Sequence, residues 1–93
     1  MVIGAAKIII YAPWAHSLKE KRMVVKSICA KVSNKFNVSI AEVDKQDVHQ
    51  SIVLGFAFVA GETSLADSIM DNVLNFIESN TEGEIISIER EFR

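Results

Sequence analysis

Ninety-three residues, 49% hydrophobic and 24% charged, make one globular domain spanning 1–93. The single cysteine, Cys29, excludes an intrachain disulfide and a cysteine-rich metal cage, and fits a reducing cytosol. A net charge of −2 and a pI near 5.6 argue against a generic nucleic-acid binder, for which a pI above about 9 is usual.

Val2 to Tyr11 is apolar at almost every position, with Ile8, Ile9 and Ile10 in succession, and predicts a central strand buried on both faces. Pro13 ends it. Ser17 and Glu20 then have the spacing of a capping box. From Leu18 to Phe36 the period is helical: Leu18, Val25, Ile28, Cys29, Val32 and Phe36 form one apolar stripe. Lys19, Arg22 and Lys26 line up beside it, and Lys31 and Lys35 lie on the opposite flank.

Asn37 to Asp44 alternates imperfectly, as an edge strand does. Glu42 takes an inward position, so either a bulge shifts the phase or Glu42 leaves the core at the strand end. Lys45-Gln46-Asp47 suits a hairpin connection, and His49 to Ala60 predicts a second central strand. Gly61 to Ser64 starts another helix, with Ser64 and Asp67 in a weaker capping-box spacing and Ala66, Ile69, Met70, Val73 and Ile77 as its buried stripe. Asn80 to Gly83 stops it. Glu84 to Phe92 alternates, with Ile86, Ile88 and Phe92 on one face, and its charged Glu89-Arg90-Glu91 suits an edge.

The order β-α-β-β-α-β predicts an α+β, ferredoxin-like sandwich: a four-stranded antiparallel sheet of order 4-1-3-2 with both helices on one face. The other face is left bare. If Ile52, Leu54, Phe56 and Phe58 face the helices, then Val53, Gly55, Ala57 and Val59 face outward. Such an apolar face calls for a cover, and a second copy is the simplest. The expectation is a homo-oligomer through Val53, Ala57, Val59 and Tyr11; the alternative is a monomer with a mixed surface.

Charge is polarised along the chain. Residues 1–45 carry eight Lys/Arg and three Asp/Glu, a local +5, and residues 46–93 carry two and nine, a local −7. Lys19, Lys21 and Arg22 follow the cap, at the end where the helix dipole is already positive. Together with Lys26 they predict an anion or RNA phosphate site, with Trp14 and His16 beside it. The competing reading is a capped surface helix with solvated cations and a Trp14 folded over the end of the core. RNA stacking on the sheet is not expected, because Phe56 and Phe58 share the core parity. His16, Asp44, Asp47 and His49 match no metal motif, Cys29 belongs to the helix stripe, and the four glycines form no phosphate loop. No catalytic site, metal or cofactor is expected. The longest later apolar stretch, Ile52 to Ala60, has nine residues against about 20 for a spanning helix, and the start lacks a basic signal-like region. A cytoplasmic protein without membrane contact is expected.

AHSLKEKR at Ala15 to Arg22, Val25-Lys26-Ser27, and FNVSIAEVDKQD at Phe36 to Asp47 resemble the YlxP-like family of small bacterial proteins. The likeness extends to Leu54-Gly55 and Ile88-Glu89-Arg90-Glu91. It departs at Val48-His49, where the family carries a large hydrophobic residue, often Trp, at the second place. The resemblance implies a ferredoxin-like fold and no settled biochemistry. It also implies genes near those for translation initiation factor 2 and ribosome-binding factor A, hence a role in ribosome maturation or translation. The function expected is a non-enzymatic RNA- or ribosome-associated module, with no DNA partner; the alternative is a protein-interaction or oligomerisation module using the open sheet face.

Overall fold

Two strands without a polar interruption on their inner parity must lie in the middle of a sheet, where both edges and one face are covered. The computed structural model, which describes all 93 residues, places them there, but with one face buried and not the two expected: along β1 buried and partly exposed positions alternate. Its elements are β1 (Val2–Tyr11), α1 (Leu18–Lys35), β2 (Ser39–Asp44), β3 (Ser51–Ala60), α2 (Thr63–Asn80) and β4 (Glu84–Phe92). The sheet order is β2-β3-β1-β4 with every pair antiparallel. This is the predicted 4-1-3-2 order read from the opposite edge.

Ala6, Ile8 and Ile10 of β1 stand opposite Phe56, Leu54 and Ile52 of β3 on the helix-facing side. They form one core with Ile28 and Val32 of α1 and Ala66, Met70, Val73, Leu74 and Ile77 of α2. Burying a side chain of the Leu, Ile or Phe size contributes about 1.5–3 kcal/mol, so β1, β3 and α2 supply most of the apolar stabilisation. Gly4 is paired with Phe58. A Cβ there would collide with the Phe58 ring, whose Cε atoms stand 2.7 and 2.8 Å away; the glycine lets the ring lie across the strand.

Two bulges shape the edges. In β2, Glu42 pairs with Leu54 and Asp44 with Val53, leaving Val43 as the extra residue. The bulge therefore shifts the phase after Glu42, which keeps its inward position. In β4, Ser87 pairs with Ile9 and Ile85 with Ile10, leaving Ile86 extra. Ile86, which alternation grouped with Ile88 and Phe92, accordingly leaves their face and is 60% exposed, while Ile85 packs against the core.

The first capping box forms. Ser17 is the N-cap, and Glu20 N–H donates to Ser17 Oγ at 3.1 Å. The return bond reaches one residue further than the usual pattern, from His16 N–H to Glu20 Oε2 at 3.2 Å. The second does not form. Glu62 is the N-cap of α2 and makes no side-chain cap bond, while Ser64 Oγ donates to Glu62 Oε1 at 3.2 Å. With the helix starting at Thr63, Ser64 lies inside its first turn, where it cannot cap.

Candidate nucleic-acid interface

The cations that follow Ser17 have divergent fates. Lys19, Arg22 and Lys26 are exposed on α1, and none has a carboxylate within ion-pair reach. Lys31 is likewise exposed and unpaired. Lys35 is exposed, and its ammonium stands 5.0 Å from the Phe76 ring centroid and 6.0 Å from that of Phe36, a cation–π position. The two flanks of α1 together carry most of the molecule's free positive charge.

Lys21 does not belong to that surface, which corrects its assignment as a phosphate contact. Its residue is 1% exposed. The ammonium donates to Lys45 C=O at 2.6 Å and Val48 C=O at 2.8 Å, and Glu42 Oε2 lies 2.7 Å away as its counter-charge. An ammonium has three N–H groups and no acceptor, and this cradle surrounds it with three oxygens. The reason lies in spacing: Lys21 sits at i+3 from Leu18 and i−4 from Val25, on the core-facing stripe. The β2–β3 connection is built to receive it. Lys45 adopts a left-handed backbone, φ 52°, its N–H takes Asp44 Oδ1 at 2.8 Å, and Val48 N–H closes the turn onto Lys45 C=O at 3.0 Å.

The same connection is held to the segment before α1. Ala12 N–H donates to Gln50 C=O at 2.8 Å, and Gln50 Nε2 donates to Pro13 C=O at 3.2 Å. Trp14, between them and the cap, is half-buried against the core, with its indole N–H buried and without a partner. Trp14 thus folds over the end of the core instead of standing free as a stacking platform. His16 is exposed at the cap. His16, Asp44, Asp47 and His49 do not converge: no three His, Cys, Asp or Glu side chains gather as a metal would need.

Cys29 is half-buried. Burial pushes its thiol pKa up, and the nearby Glu42 carboxylate pushes it further. A thiol held in its protonated form is a poor nucleophile.

Among the residues assigned to the open sheet face, Val59 is 63% and Tyr11 42% exposed, and Ala57 is half-buried. Val53 is 1% exposed and cannot touch a partner. The β2 bulge sets Asp44 beside it, and Ile9 stands opposite on the other side.

With this geometry in hand, comparison with known proteins is direct. The family described as "Protein of unknown function (DUF503)" matches residues 3–90. The chain belongs to that family. An uncharacterised protein of Bacillus subtilis (strain 168), YlxP, is 46% identical over 70 residues, covering 75% of this chain and 76% of its own length. Two solved structures share the fold. A de novo designed protein with a ferredoxin fold aligns with TM-score 0.58 and 18% identity over 100% of this chain and 85% of its own. A second design, Foldit4, gives 0.53 and 12% over 99% and 94%. Both support the ferredoxin-like architecture alone. No helix is long and apolar enough to cross a membrane.

The Lys21 cradle escaped the sequence reading, yet both halves left a trace. Positions 18, 21, 25, 28 and 32 follow the helical repeat with one charged member, and Glu42 stands inward on the strand beneath. A cation and an anion each out of place on adjacent elements is the signal of a buried pair.

Proposed function

We propose that this DUF503 protein is a non-enzymatic module that binds RNA phosphates through the exposed cations Lys19, Arg22 and Lys26 of α1, working with RNA or the ribosome in the cytoplasm. One observation carries the reading: α1 presents exposed cations without acidic partners, while α2, on the same side of the sheet, has Asp67, Asp71 and Glu78 and no Lys or Arg. Unpaired cations repel one another and contribute nothing to folding. Their concentration on one helix is understandable if an external polyanion neutralises them. His16 borders the site, and the Lys21 cradle holds the adjoining turn in place. The gene neighbourhood implied by the resemblance points the same way.

The test is binding of a short labelled single-stranded RNA to the purified protein across a salt series. Three phosphate contacts give a slope of log affinity against log salt near −2, from about −0.7 per contact. Lys19→Ala with Arg22→Ala weakens binding at low salt with an unchanged circular dichroism spectrum. Absence of binding at low salt, or salt-independent affinity, refutes the proposal.

A further inference from the structure

We infer that the open face of the sheet is the self-complementary interface of a two-fold homodimer, with a second copy of this chain as its occupant. The observation is the shape and chemistry of that face. Ala41, Gly55, Ala57 and Ala5 run across β2, β3 and β1 and form a shallow trough of about 330 Å³. At one end stand Ile3 and Val59, 38% and 63% exposed. None of these residues is charged; the charge that lies among them on the face is Lys7 of β1, opposite Gly55. Toward β4 the character changes: the Lys7 side chain reaches to 3.9 Å from Glu89, and Glu91, opposite Ala5, pairs with Arg93 at 2.9 Å. An apolar centre with a charged border is the anatomy of a protein interface.

Size agrees with a dimer. Strands of six to ten residues at ~3.3 Å per residue and ~4.8 Å apart give a face of roughly 550 Å² in plan. With side-chain relief this approaches the ~800 Å² per partner that a stable association buries. Small residues in the centre allow the two sheets to approach to about 10 Å. An isologous contact about an axis through the trough places both β4 bands at the rim, and each Lys7 enters it with Glu89 as its counter-charge. The charge of the border disfavours RNA as the occupant: its two cations, Lys7 and Arg93, already face the carboxylates of Glu89 and Glu91. In such a dimer the helices lie on the outside, leaving Lys19, Arg22 and Lys26 of both copies accessible. The inference is independent of the RNA reading.

Sedimentation or light scattering across a concentration series, about 1 μM to 1 mM, tests it through mass action. The expected result is a shift from the chain mass of 10.3 kDa to twice that value. Val59→Glu and, separately, Ala41→Asp weaken dimerisation at least tenfold while keeping the circular dichroism spectrum. Lys19→Glu on α1 leaves it unchanged. A protein that stays at 10.3 kDa throughout overturns the proposal, whether or not another protein later proves to cover the face. So does a dimer that survives both face substitutions, since it must use another surface.

Discussion

The two helices are the same length, 18 residues each, and cover the same side of one sheet, yet they are attached by different means. α2 buries Ala66, Met70, Val73, Leu74 and Ile77; α1 buries Ile28, Val32 and a lysine. α2 docks by apolar packing and tolerates an uncapped start. α1 has a complete cap and a charged anchor, and devotes its outer face to cations. The lesson is that a helix with little apolar grip can still be fixed in place, provided a polar contact specifies its position.

The largest test of that contrast is the anchor. Lys21→Met leaves Glu42 uncompensated beneath α1, with a side chain only 13% exposed, and removes the donor to two carbonyls. Breaking a buried pair on one side costs about 3–5 kcal/mol, measurable by urea unfolding. Replacing both partners, Lys21→Met with Glu42→Leu, recovers most of the loss, because the desolvated charge is gone as well. A single variant as stable as the parent would show that apolar packing holds α1 as it holds α2.

A smaller effect comes from the caps. Ser17→Ala lowers stability by about 1 kcal/mol. Glu62 has φ −151° and ψ 162°, almost the same backbone as Ser17 at −152° and 161°. Glu62→Ser therefore supplies a cap to a backbone already shaped for one and raises stability by about 0.5–1 kcal/mol. Thermal melts of the two variants should move in opposite directions, and movement in the same direction breaks the comparison.

The smallest effect is at Cys29. Its folded thiol keeps its proton to higher pH than the unfolded one, since burial and Glu42 both raise it. The stability this contributes is complete below the unfolded thiol's titration and is lost as pH rises through the folded one. Alkylation of the native protein should accordingly lag behind that of the urea-unfolded chain at mildly alkaline pH. Equal rates would place the thiol in solvent and away from Glu42.

Strand order, core parity and the α2 stripe were legible because period and apolar run length depend on neighbours within one element. Lys21 was not, because a lysine reads as solvated until the strand beneath it is known to present Glu42. Val53 failed for the complementary reason: alternation assigned it correctly to the outer face, but a bulge in another strand decides whether that position sees water. Ile86 was misplaced by the second bulge. Within the candidate site, exposure of Lys19, Arg22 and Lys26 was legible from helical spacing, and the inward turn of Trp14 required the tertiary fold.

The central position of β1 bears on the order of assembly. Its partners are β3 and β4, so Val2 meets Ala60 and Gly4 meets Phe92. Among the four strands β1 precedes both of its neighbours, and the second of them, β4, is the last element of the fold. Long-range pairings of this kind slow folding, and an unpaired apolar strand is prone to aggregate. The local cap at Ser17 needs no such partner, so α1 can form beside β1 while the rest of the sheet is still being synthesised.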